Sequence, residues 1–174
     1  MKKTLNIKDI PPFIGEGGYV TDITLHHLPD WIKEHQESDG LILDPDFQRG
    51  HVWTPEQEIA FMEFALRGGH SARDLYFNHP GWMNDFKGEF VCVDGLQRIT
   101  AICRFFDDKV PVFGGYVASQ IEGLRAAGFQ FGMRIHINSL QNRNDVIRWY
   151  VEMNEGGTPH SKEEISRVRA LIKN

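Results

Sequence analysis

Val91-Cys92-Val93-Asp94-Gly95-Leu96-Gln97-Arg98-Ile99-Thr100-Ala101-Ile102 is the stretch around which the rest of this chain is organised. It begins as an apolar run that reads as a buried strand and turns on Asp94-Gly95. It continues as a helix with apolar residues at Ile99, Ile102, Phe105 and Phe106, the spacing of a buried helical face. A strand–Gly turn–helix junction aims backbone N–H groups and the positive end of a helix at one spot, a natural seat for an anion. Around that spot stand Asp94, Gln97 and Arg98. Asp can hold a metal or accept a proton, Gln can orient a water or a ribose, and Arg can clamp a phosphate oxygen bidentately. The same letters also suit a plain helix start, with Asp as cap and Arg in solvent, because short motifs recur by chance.

Outside this stretch, composition narrows the classes. The 174 residues suit one domain with a real hydrophobic core, and 41% apolar with 25% charged residues is ordinary for a globular protein. No apolar run approaches the roughly 20 residues that span a bilayer. Met1-Lys2-Lys3 is basic, but no apolar segment follows it, so no signal peptide is expected. Cys92 and Cys103 lie in apolar segments without a CxxC or Cys/His cluster. They read as reduced core residues of a cytoplasmic protein. A net charge of −5 excludes binding of polyanions by bulk charge, so any nucleic-acid contact needs a local basic patch. The eight histidines show no HxH, HxxxH or HExxH spacing, which argues against zinc; His51 alone stands beside a motif.

Taken in order, residues 1–20 read as a lead-in. Leu5, Ile7 and Ile10 alternate like a short strand, Pro11-Pro12 stops it, and Gly15-Glu16-Gly17-Gly18 is a linker. No Lys-Ser/Thr follows those glycines, so they do not form a phosphate loop. Thr24 to Glu37 reads as a helix with Pro29 in its first turn and Leu28, Trp31 and Ile32 buried. Leu41-Ile42-Leu43 is a short strand. Thr54, Pro55 and Gln57 announce the next helix as N-cap, first residue and capping box. Ile59, Met62 and Leu66 form its face, widened by Phe61 and Phe64, and Gly68-Gly69 ends it. Leu75-Tyr76-Phe77 and Glu89 to Val93 are strands. Pro111-Val112-Phe113 is a short strand and Ser119 to Ala127 a weak helix. Met133 to Ile137 alternates as a strand with one wet face. Asn142 to Glu155 is a helix, and Ser161-Lys162-Glu163-Glu164 opens a last one to about Lys173. Without a strict alternating rhythm of strand and helix, the expected class is α+β.

Three polar clusters punctuate this frame at element boundaries, where functional side chains are commonly presented. They are Phe47-Gln48-Arg49 with Trp53 beyond it, Asp94-Gly95-Leu96-Gln97-Arg98, and Asn154-Glu155-Gly156-Gly157-Thr158. Arg49 and Arg98 either converge as a phosphate clamp, with Gly156-Gly157 allowing close backbone approach, or pair with Asp44, Asp46 or Glu155 as structural ion pairs. Trp53 is expected in the core.

The order F-Q-R-G-x-V-W, V-D-G-x-Q-R-x-T and N-x-G-G-T-P resembles the N-terminal domain of GmrSD-type modification-dependent restriction proteins. That domain has a ParB/sulfiredoxin-like fold, and the likeness runs from about Asp44 to Ile172. The resemblance implies a small mixed sheet packed by helices, and a nucleotide-binding, often NTP-hydrolysing module in DNA-related defence, counter-defence or DNA modification. It carries the family's functional pattern onto Gln48, Arg49, Asp94, Gly95, Gln97 and Arg98, with Thr100, Asn154, Gly156 and Gly157 beside them. Asp94, Gln97 and Arg98 are the expected catalytic group. Asp94 would hold Mg²⁺ or help activate the attacking group, Gln97 would position the nucleophile, and Arg98 and Arg49 would neutralise phosphate charge. Leu96 stands where the usual D-G-Q-Q-R has its first Gln. Full-length members of that family carry a second, nuclease domain, which is not expected within these 174 residues. The expected partners are a nucleotide, DNA bound weakly, and a protein supplying the nuclease; no membrane is expected. The alternative is a catalytically silent DNA-binding or protein-interaction module, a sensor or decoy.

Overall fold

The computed structural model describes residues 5–6, 10, 18–48, 50–126, 132–155 and 162–172, with backbone alone at 155 and 162–165. Among them the fold is α+β, as expected. A four-stranded sheet runs in the order β1-β4-β2-β3, from β1 (Tyr19–Thr24), β2 (Asp74–Asn78), β3 (Val91–Asp94) and β4 (Gly132–Asn138). The sheet is mixed: β1 is antiparallel to β4, β4 parallel to β2, and β2 antiparallel to β3. The helices are α1 (Leu28–Ser38), α2 (Pro55–Leu66), α3 (Leu96–Phe106), α4 (Arg143–Glu155) and α5 (Lys162–Arg169).

Strand alternation sends side chains to two cores. Leu75, Phe77, Met133, Ile135 and Ile137 face α1, α2 and α3, which bring Leu28, Met62, Ile99, Ile102 and Phe105 to the same cluster. The opposite face presents Val91 and Val93 to Val146, Ile147 and Tyr150 of α4, to Val168 of α5, and to Phe47. Each large side chain so buried contributes roughly 1.5–3 kcal/mol. The two layers meet at the end of β3, and there the motifs lie.

Several elements depart from their sequence reading. Tyr19–Thr24, read as the end of a lead-in and the start of a helix, is instead strand β1. Only Tyr19 and Ile23 supply its apolar side, and its order comes from pairing with β4 far along the chain. The helix accordingly begins at Leu28, after a tight turn over Leu25–His27. Leu5 and Ile10 are exposed and outside any strand, while Ile7, Pro11-Pro12 and Gly15 to Gly17 lie outside the described residues. Leu41 to Leu43 is reduced to one bridge, Ile42 to Val91, and Pro111 to Phe113 to one bridge, Val112 to Tyr116. Of the weak helix expected over Ser119 to Ala127, the structure has a short turn at Ala118–Gln120 and turns over 122–125, and Ala127 lies outside the described residues. On α2 the buried face is Glu58, Phe61, Met62 and Ala65, with Phe64 exposed. Ser161, the cap expected for the last helix, lies outside the described residues.

Candidate functional site

Two helix starts meet at the site. α2 opens as its sequence demands: Gln57 N–H donates to Thr54 Oγ1 at 3.4 Å, and Thr54 N–H donates to Gln57 Oε1 at 2.9 Å. Pro55 takes the first helical position, where its missing N–H costs nothing. α3 opens differently. Its N-cap is Gly95, which has no side chain to close the first turn. Gly95 has φ +126°, and a Cβ there would stand 2.5 Å from Leu75 Cδ2, so both backbone and packing require glycine. The first N–H groups of a helix lack intrahelical acceptors. That of Leu96 points to the Cys92 sulfur, and those of Gln97 and Arg98 belong to residues lining a cavity.

The cavity measures about 660 Å³, well within the range of small-molecule sites. All three sequence clusters reach it. The first contributes Gln48, Gly50 and Trp53, the second Asp94 to Arg98, and the third Asn154. Its apolar wall comes from Trp53, Phe61 and Phe64 on one side and Tyr150 and Met153 on the other. Trp53, expected in the core, packs on Phe61 with ring centroids 5.4 Å apart and also faces this cavity. Arg49, Gly156 and Gly157 lie outside the described residues.

A bulge aims the acid. Phe77 pairs with Cys92, but the next pairing is Tyr76 with Asp94, so one step along β2 matches two along β3. Such an irregularity re-aims a side chain against strict alternation. Asp94 is 41% exposed, and its Oδ2 accepts a hydrogen bond from Arg98, whose side chain is 16% exposed. Among the described lining residues Asp94 is the carboxylate and Arg98 the cation. The ion pairing anticipated as one alternative for Arg98 is thus present, with a different acid. Asp44 instead accepts from Gly50 N–H at 3.1 Å, and Asp46 pairs with Arg143.

The glutamines hold the site's frame. Gln97, expected to position a nucleophile, spends both ends of its amide on backbone. Oε1 accepts from Val52 N–H at 2.9 Å and Trp53 N–H at 3.1 Å, and Nε2 donates to the Gly50 carbonyl at 2.7 Å. It is a positioning residue, tying the 50–53 loop to the start of α3. Gln48 Nε2 donates to the Cys92 carbonyl at 2.6 Å, fixing the same loop to β3. From α5, Arg167 donates to the carbonyls of Asp46, Phe47 and Gln48 at 3.3–3.4 Å. Asn154 Nδ2 donates to the Tyr150 carbonyl at 2.7 Å, and Asn154 faces the cavity. Thr100 is not brought there: its hydroxyl donates to the Leu96 carbonyl at 2.8 Å one turn into α3.

Sequence reasoning missed Glu58. This carboxylate is 3% exposed, with Arg104 Nε donating to Oε2 at 3.2 Å and His51 Nε2 3.0 Å from Oε1, outside hydrogen-bond geometry. It braces the loop after the first motif and the last turn of α3 against α2. Nothing local in the sequence marks it, because its partners lie on other elements. Burial pushes the Cys92 thiol far up, so it is no nucleophile at neutral pH, and burial lifts Cys103 to about 11.

Asp94 is the carboxylate among the described residues that line the cavity, and Mg²⁺ in proteins is commonly held by one or two carboxylates together with substrate phosphates rather than by a protein cage. No group of three or more His, Cys, Asp or Glu side chains that could hold a metal ion converges among the described residues. No helix among them is long and apolar enough to cross a membrane. Among the described residues distant from the cavity, Arg134 pairs with Asp22, Arg143 with Asp46 and Glu89, and Arg148 with Asp145. Compared with models of known families, with curated proteins and with solved structures, the chain matches none.

Proposed function

We propose that this chain is a nucleotide-binding module that hydrolyses an NTP or transfers its phosphoryl or nucleotidyl group, in DNA-related defence, counter-defence or DNA modification. The observation that carries the reading is convergence: Gln48, Asp94 to Arg98, and Asn154, remote in sequence, line one cavity. The cavity has a polar corner and an apolar wall, the two halves a nucleotide needs. The base lies against Trp53 and Phe61, which offer stacking faces. The phosphates lie at the start of α3, where Gly95 lets the backbone approach and Arg98 supplies a charge-assisted hydrogen bond.

Asp94 would hold Mg²⁺ together with phosphate oxygens, and a bound Mg²⁺ supplies neutralisation of phosphate charge. The chain's own residues do the rest. If Asp94 does not hold that ion, its carboxylate instead accepts the proton of the attacking hydroxyl or water. Arg98 balances charge on the transferred group, and the low-dielectric wall strengthens both effects. Gln97 and Gln48 hold the 50–53 loop in place, so that positioning costs nothing at the moment of reaction. The resemblance of its motifs to those of GmrSD-type domains points to the same assignment.

The test is a calorimetric titration with each of the four common ribonucleoside triphosphates and Mg²⁺, on the parent chain and on Arg98→Ala. A charge-assisted phosphate contact is worth roughly 1.5–3 kcal/mol, so the variant should lose about one to two decades of affinity while its melting temperature barely moves. Absence of binding of every triphosphate to the parent chain contradicts the reading.

A further inference from the structure

The Asp94–Arg98 pair occupies the corner of the cavity that the nucleotide reading assigns to phosphate. Arg98 is largely buried, at 16% side-chain exposure, and a buried guanidinium needs an anionic partner in every state of the protein. In this structure Asp94 Oδ2 is that partner. A carboxylate oxygen and a phosphate oxygen make the same demand on a guanidinium fork. One guanidinium nitrogen already bonds Asp94 Oδ2, and a phosphate brought beside it sets a second anion against that carboxylate in a partly desolvated corner, where like charges repel. A phosphate that reaches Arg98 therefore meets Asp94 already seated.

Asp94 is able to leave. It is the last residue of β3, past the register shift opposite Tyr76, and is 41% exposed. Its carboxylate can turn outward and be rehydrated, whereas Arg98 is held inside the cavity. The partner most easily exchanged is thus the acid.

We infer that Asp94 is an internal competitor for the phosphate seat: ligand phosphate displaces it from Arg98, and the divalent cation accompanying that phosphate removes the repulsion between the two anions. This rests on the nucleotide reading and adds a regulation of the same site. Metal-free phosphate ligands are rejected by the protein's own carboxylate. Metal-loaded ones convert that carboxylate from competitor to contact.

The experiment compares the parent chain with Asp94→Asn, which keeps the size of the side chain and removes its charge. The probe is inorganic triphosphate, which needs no base pocket, titrated in EDTA and again in Mg²⁺. In EDTA, Asp94→Asn is expected to bind about tenfold more tightly than the parent, against the usual direction for deleting a site residue. In Mg²⁺ that advantage should vanish or invert. Asp94→Ser serves as a second variant, and the melting temperature of each shows that the fold is kept. Equal or weaker binding by both variants in EDTA overturns the exchange. If the parent then still binds a nucleoside triphosphate with Mg²⁺, the nucleotide reading stands without it. If neither triphosphate nor any nucleotide binds parent or variant, both fall together.

Discussion

The two helix starts that border the cavity have opposite designs. α2 closes itself: Thr54 and Gln57 satisfy each other's backbone N–H groups, and Pro55 removes one donor. α3 has a glycine in the capping position and no side-chain cap, and its first turn opens on Asp94 and Arg98. A glycine N-cap costs only about a few tenths of a kcal/mol relative to a capping side chain, so α3 leaves its first turn open at small cost. The difference teaches where to look for chemistry. A helix start that is complete by itself is structural, and one left open at a cavity is available to a ligand.

Breaking the open start should have the larger effect. Gly95→Ala places a Cβ against Leu75 at a positive φ, and strain and overpacking together should cost roughly 2–4 kcal/mol of stability and abolish nucleotide binding. Denaturant unfolding and calorimetry read the two losses. Gln97→Ala removes all three amide contacts to the 50–53 loop. It should cost roughly 1–3 kcal/mol and weaken binding through the loosened loop. Gln97→Glu, which retains an acceptor for Val52 and Trp53 but no donor for Gly50, should fall between. Thr54→Ala at the closed start should lose only about 1 kcal/mol and leave nucleotide affinity unchanged. A fall in affinity there would erase the contrast between the two starts.

The smallest expected effect concerns pH and lies outside both starts. Burial holds the His79 imidazole below its ordinary 6.5, while its Nδ1 accepts from Gly81 N–H at 3.1 Å. The unfolded chain therefore takes up this proton at higher pH than the folded one. Stability is complete above about 6.5 and declines as pH falls below it, with no loss on the alkaline side. Denaturation midpoints measured from pH 8 to pH 5 should show that slope. His79→Asn, which can still accept from Gly81, should flatten part of it.

The same contrast explains what was legible in the sequence. The start of α2 could be read to the residue, because Thr54, Pro55 and Gln57 signal within four consecutive positions, although its buried face could not. The alternation of Met133, Ile135 and Ile137 was equally plain, since one face of β4 is buried and the other wet. The motif at α3 was visible as a motif, but not its contacts. The targets of Gln97 are set by the fold of another segment, and the aim of Asp94 by a register shift between β2 and β3. β1 was missed because pairing with β4, not its own pattern, makes it a strand. Glu58 was missed because a buried acid on a helix is recognisable only once Arg104 is known to reach it. Thr100 shows the opposite error, a motif letter whose hydroxyl serves the helix itself.

The most direct test is to diffuse a nucleoside triphosphate that binds in solution, with Mg²⁺, into crystals of the chain. Electron density is expected in the cavity bounded by Gln48, Trp53, Arg98 and Asn154, with phosphates at the start of α3 and a phosphate oxygen on the Arg98 guanidinium in the place that Asp94 holds in the free protein. Triphosphate ordered at another place on the protein, with this cavity empty and the Asp94–Arg98 pair intact, would contradict it.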